Sequence, residues 1–169
     1  AESPRGICHL AFLPSADGQH WNSLRAAWPN ARVRRDDAAV HELALRIFTP
    51  SAPAAARPPL KAYVRGNALQ LRVWRALLQL QPGMLFSYGR LAQALGMPRA
   101  ARAVGSAIAR NPLACLIPCH RVIRATGVVG DYRWDPVRKR ALIAWESTAR
   151  HIRSTLSEDT EADAQTGDP

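Results

Sequence analysis

What the chain lacks narrows it first. It has no run of 18 apolar residues, so no membrane-spanning helix is expected. Residues 1–13 lack the basic start, apolar stretch and small-residue cleavage site of a secretory leader. Cysteine is scarce: Cys8, Cys115 and Cys119 are too few and too oddly spaced for a disulfide framework, which fits a reducing cytoplasm. Cys115 and the Cys119-His120 pair find no second ligand pair at zinc spacing, so neither a metal nor another cofactor is expected. Acidic residues are also short, with 13 Asp and Glu against 23 Lys and Arg and a formal charge of +10. Residues 60–146 hold 14 Lys or Arg but only Asp131, Asp135 and Glu146, a local balance of +11. The last 23 residues reverse the sign, with two Arg and five acids. A basic body beside an acidic tail suggests a polyanionic partner; a basic surface without a ligand is the bland alternative.

What is present is enough for a folded domain, since 47% of the 169 residues are hydrophobic. "GICHLAFL" (6–13) predicts a strand. "QHWNSLRAAW" (19–28) and "DDAAVHELALRIF" (36–48) space their apolar residues helically. "TPSAPAAARPP" (49–59) reads as a proline-stiffened linker. After it come a short strand, "LKAYV" (60–64), and a helix, "ALQLRVWRALLQL" (68–80), stopped by Pro82-Gly83. In the last predicted helix (135–146), Asp135 is the N-cap and Pro136 the first helical residue. Glu146 falls in its last turn, where an acid opposes the helix dipole and so points to a cationic or hydrogen-bonding partner elsewhere. The remainder, to residue 169, loses periodicity and is expected to be disordered after about residue 155.

Two short helices draw together the basic character. "SYGRLAQALG" (87–96) has Ser87 as N-cap and Gly96 as C-cap. "RAARAVGSAIAR" (99–110) follows, and the pair makes a helix-turn-helix pattern. On a wheel, Ala100, Val104, Ala107 and Ile108 share one side of the second helix. Arg99, Arg102, Ser106 and Arg110 share the other, a cationic face of small residues that DNA can approach closely. A solvated helix face is the plain alternative.

"NPLACLIPCHRVIRA" (111–125) carries the chemistry. Only a thiolate is a strong nucleophile, and a nearby imidazole or positive charge favours it. His120 could be the base for Cys119, but sequence neighbours do not normally point at each other. Their contact would need an unusual turn or one bridging water. The base also needs a third group to orient it, and Glu146 is the natural candidate. Asn111 is a second, or it could pin the turn that bears the cysteine. On spacing alone, a buried inert cysteine remains open.

The motif "IPCHRVI", with "RAARAVGSAIARNP" before it and "GVVGDYRW" after it, resembles the O6-alkylguanine-DNA alkyltransferase family, the methylated-DNA–protein-cysteine methyltransferases. The match is gap-free from about Tyr88 to Glu146, and weaker similarity runs back through "RVWRAL" towards the N-terminus. "GDYRW" looks most like the bacterial adaptive-response branch. The resemblance implies that Cys119 accepts the alkyl group, that His120 deprotonates it through a water, that Glu146 orients His120, and that Asn111 braces the turn. It implies that Arg102 fills the gap left by a flipped base and that Tyr88 helps rotate the nucleotide and bonds the guanine. The carbonyls of Cys119 and Val122 and the backbone N–H of Arg133 would read guanine edges. Double-stranded DNA would be met through its minor groove, by a monomer.

The expected architecture is α+β: a small N-terminal α/β lobe (1–48), the linker (49–59), a mainly helical lobe with the helix-turn-helix and the reactive cysteine (60–150), and an acidic tail (151–169). The family's first strand is expected to be missing, leaving residues 1–13 poorly paired. Leu69 stands where the family often has Phe. Arg133-Trp134 predicts a tight pocket that takes methyl readily and benzyl poorly. Cys115 is expected in the core, and no role for Arg121 follows from the sequence. The alternatives are a helix-turn-helix binder of damaged DNA without transfer chemistry, and a cysteine hydrolase, for which no oxyanion or nucleophile-elbow motif is present.

Overall fold

A computed structural model describes residues 1–13, 20–48 and 59–148. Most of the predicted linker, and the predicted tail, lie outside these residues. The chain divides into two compact units between Val64 and Arg65.

The first unit opens with a hairpin of β1 (Glu2–Ser3) and β2 (Gly6–Ile7), antiparallel with Glu2 opposite Ile7 and Ser3 opposite Gly6. Ile7 also bridges to Ala62, its N–H donating to Lys61 O at 2.8 Å and its carbonyl accepting from Tyr63 N–H at 2.9 Å. Only glycine fits at position 6: φ is +129°, and a Cβ there would lie 2.4 Å from the Lys61 carbonyl oxygen. The two strands expected over 6–13 and 60–64 therefore shrink to short paired stretches. Tyr63 stacks on Trp28 at 5.3 Å between ring centroids. α1 (His20–Ala27) buries Leu24. α2 (Asp37–Phe48) is capped by Asp36, whose Oδ1 accepts from Ala39 N–H at 3.1 Å. Of its predicted apolar stripe only Leu43 is buried, and Val40 and Phe48 are exposed.

The second unit is built on α3 (Ala68–Leu77). Asn67 and Gln70 form a reciprocal capping box at its start. Val73, Trp74 and Leu77 are its buried face, and the Trp74 indole N–H donates to the Ala107 carbonyl at 2.9 Å. That bond ties α3 to α5 (Ala101–Ala109). β3 (Phe86–Ser87) leads directly into α4 (Tyr88–Ala94), capped by Ser87, whose Oγ accepts from Arg90 N–H at 3.1 Å. At the other end of α4, Gly96 at φ +70° allows its own N–H to reach Gln93 O and that of Met97 to reach Ala92 O, the paired closure of a Schellman motif. α5 starts after Ala100, so Arg99 sits in the turn before the helix and not on it. Val104, Ala107 and Ile108 are buried as the wheel predicts. β4 (Val122–Ile123) pairs in parallel with β3, and α6 covers residues 136–148. No described helix is long and apolar enough to cross a membrane.

Candidate active site around Cys119

The segment from α5 to β4 is wound around one side chain. Asn111 is fully buried, with 0% of its surface exposed. Its Oδ1 accepts from Leu113 N–H at 2.9 Å. Its Nδ2 faces three acceptors: Ile117 O at 2.9 Å, Leu113 O at 3.1 Å and the Cys119 sulfur at 3.0 Å. Two N–H bonds serve three acceptors, so one is shared. An aspartate could not donate and a leucine could do neither, so asparagine is dictated here. The loop accommodates this winding with Cys115 at φ +62°, an uncommon conformation for a residue with a Cβ. Cys115 is half-buried rather than in the core, and burial pushes its thiol up to about 11.

Cys119 starts a 3-10 turn that runs to Arg121 and is 4% exposed. Burial pushes its thiol above the ordinary value; the Asn111 amide, the Tyr132 hydroxyl and the Lys139 ammonium act the other way without overcoming it. The resting group is therefore a thiol, which needs a base at the moment of reaction.

The candidate base is beside it in sequence but turned elsewhere. His120 is 1% exposed, and its Nε2 lies 2.9 Å from Glu146 Oε1. Glu146 also accepts from Arg121 Nε at 2.8 Å, from Arg121 Nη2 at 2.7 Å and from Gly83 N–H at 3.1 Å. Burial alone would raise the Glu146 carboxyl; the hydrogen bonds from His120, Arg121 and Gly83 outweigh it and hold it at about 2. A carboxylate only accepts, so His120 carries its proton on Nε2. Nδ1 is left buried and without a partner. The third N–H group of Arg121 donates to the Leu80 carbonyl near the end of α3.

Other elements close around the sulfur. The β3–β4 pairing sets Phe86 opposite Val122 and Ser87 opposite Ile123, which brings Tyr88 to the same end as the cysteine turn. Burial and the charge that Cys119 would carry both raise the Tyr88 hydroxyl. Its ring rests on Gly105, where an added Cβ would be 3.6 Å away. Tyr132 is raised for the same two reasons; its buried hydroxyl lies near the sulfur without a well-formed hydrogen bond. Lys139, 1% exposed, donates to the Val122 carbonyl at 2.8 Å. Arg133 donates from its guanidinium to the Asn111 carbonyl at 3.0 Å and lies 5.5 Å over the Trp134 ring. Arg102 and Ser106 are exposed on the outer side of α5, Arg110 is exposed at its C-cap, just past the helix and not on the predicted helix face, and Arg99 is exposed in the turn before it.

The structure thus brings Cys119, His120, Glu146, Asn111, Tyr88 and Val122 together, with the Arg133 side chain on the Asn111 carbonyl. The α5 arginines lie apart from this centre, on the surface. Sequence reasoning missed Arg121, Lys139, Tyr132 and the Gly83 amide. The one available signal was Glu146, an acid against the helix dipole, and its missing cation is Arg121.

Residues 68–148 match the family described as 6-O-methylguanine DNA methyltransferase, DNA binding domain. The chain is 37% identical over 147 residues to the Escherichia coli bifunctional transcriptional activator/DNA repair enzyme Ada, spanning 87% of this chain and 41% of that protein. The structure of Mycobacterium tuberculosis OGT in complex with DNA is 40% identical with a TM-score of 0.56, covering 65% of this chain and 66% of that one. A variant of the M. tuberculosis O6-methylguanine methyltransferase is 31% identical with a TM-score of 0.62, covering 87% and 90%. The chain belongs to the methylated-DNA–protein-cysteine methyltransferase family. It spans about two fifths of the length of Ada.

Proposed function

We propose that the protein repairs DNA by moving the alkyl group of O6-alkylguanine irreversibly onto Cys119, once per chain. The carrying observation is a buried thiol fixed by Asn111, on a turn that also holds His120, hydrogen-bonded to Glu146. The thiol proton passes through a water to Nδ1 of His120. The sulfur attacks the alkyl carbon in line as the carbon–O6 bond breaks. The bond's electron pair goes to the guanine, which regains a proton and returns to its normal form. The product is a thioether, inert to further exchange.

A guanine in a duplex cannot reach a sulfur that is 4% exposed, so the base must leave the stack, at a cost of a few kcal/mol. Arg102 offsets that cost by filling the vacated place. α4 and α5 act as a helix-turn-helix, with α5 in the minor groove, where its small residues and arginines fit. Arg99 and Arg110 hold phosphates, and Ser106 faces the backbone. Tyr88, the carbonyls of Cys119 and Val122, and the Arg133 N–H read the flipped base. The protein acts as a monomer in a reducing cytoplasm.

The test is a titration with duplex DNA that contains O6-methylguanine. Repair should stop at one lesion per chain and be absent in Cys119→Ser. Binding of the lesion without its disappearance would favour a damage-binding protein instead.

A further inference from the structure

We propose that Arg121 is a positioning residue: its two-pronged grip on Glu146 compensates the carboxylate charge, so that His120 stays neutral and keeps Nδ1 free to take the Cys119 proton. This rests on the reading of Cys119 as the acceptor and His120 as its base.

Glu146 is 7% exposed, and with His120 as its sole ionisable partner its charge would be matched by a proton on the imidazole. An imidazolium cannot accept another proton, and the pair would be inactive as a base. Arg121 removes the need. Two of its nitrogens meet the two oxygens of Glu146 in the fork geometry that suits guanidinium to carboxylate, and a third N–H is anchored on the Leu80 carbonyl. The cation is held from two elements and is 8% exposed, so solvent does little to screen it.

A second observation points the same way. His120 Nδ1 is buried and has no partner. In the neutral ring protonated on Nε2 this atom is an acceptor. In the imidazolium it would already be an N–H and could not accept the relayed proton. The charged and titratable groups around the Cys119–Arg121 turn are Glu146 and Lys139 from α6, Cys119 and Arg121 themselves, and Tyr132 from the segment before α6. Gly83 contributes its amide to the same carboxylate. Two of these groups are cations, Arg121 and Lys139. Arg121 is singled out because it alone of the two touches Glu146.

The test has two arms. In the wild-type full chain, nitrogen NMR of His120 at pH 7 should show a neutral ring protonated on Nε2. An imidazolium would overturn the proposal, whether or not the protein repairs DNA. In the second arm, single-turnover methyl transfer is followed against pH. Arg121→Met should move the rising limb upward by about one pH unit or more, which is roughly a tenfold loss at neutral pH recovered in alkaline solution. Arg121→Lys, which keeps the charge without the fork, should fall between. A folded Arg121→Met protein with the wild-type profile, or with an equal loss at every pH, would overturn the proposal. Should Arg121→Met not fold, the wild-type NMR measurement decides alone. A wild-type protein that shows the neutral ring yet transfers no methyl would refute the alkyl-transfer reading and not the ionisation argument.

Discussion

Replacing Glu146 by Gln should turn one side chain's electrostatics into a measurable change in stability. The carboxyl is held at about 2, against an ordinary 4.5, and is buried. A folded-state value below the unfolded one means that the carboxylate stabilises the fold above pH 4.5. That contribution is lost as pH falls towards 2. The gap corresponds to about 3 kcal/mol, a large share of the stability of a small domain. Glu146→Gln removes the titration, and at pH 7 it leaves the buried Arg121 guanidinium short of its counter-charge, a loss of about 3–5 kcal/mol. The assay is urea unfolding, monitored by circular dichroism at several pH values between 7 and 2. The wild type should lose about 3 kcal/mol across the acidic part of that range beyond what the variant loses. The variant should begin lower and change less. Two parallel curves, or a variant within about 1 kcal/mol of the wild type at pH 7, would refute the reasoning, because Glu146 would then not be the hub of the network.

Other substitutions probe separate parts of the account. Asn111→Ala leaves the buried Leu113 N–H without an acceptor, while the Leu113 and Ile117 carbonyls keep the N–H groups of Ile117 and Cys119; it should cost about 1–3 kcal/mol in chemical denaturation while slowing methyl transfer. Arg102→Ala should slow repair of a lesion in duplex DNA by roughly tenfold or more, yet leave the reaction with the free O6-methylguanine base unchanged, as measured by quenched time courses. Asp135 stands at φ +93° while its Oδ1 accepts from Val137 N–H at 2.6 Å. Glycine there would relieve about 1 kcal/mol of backbone strain and lose a few tenths in capping, so Asp135→Gly should raise the melting temperature slightly.

The helices of the second unit were legible because their signals are local: the apolar spacing of α3, Ser87 and Gly96 at the ends of α4, the buried stripe of α5, and Asp135 before α6. Cys119, His120, Glu146 and Asn111 were legible through the motif and its spacing. The first unit was harder. Its strands are two residues long and depend on pairing between residues far apart, such as Ile7 with Ala62, which no local pattern announces. The parallel contact of β3 with β4, which brings Tyr88 to the cysteine turn, is non-local in the same way. Arg121 and Lys139 are cations, and the composition placed them with the DNA-facing charge. They are buried instead, because Glu146 and the Val122 carbonyl meet them there. Part of the +11 of residues 60–146 is thus internal wiring and not a surface for phosphates.

The central claim is that Cys119 takes the alkyl group. Its most direct test is the intact mass of the full chain after incubation with excess O6-methylguanine duplex, followed by peptide mapping. The account predicts the gain of a single methyl group on Cys119, with Cys8 and Cys115 unmodified. An unchanged mass, or a methyl group on another residue, would contradict it.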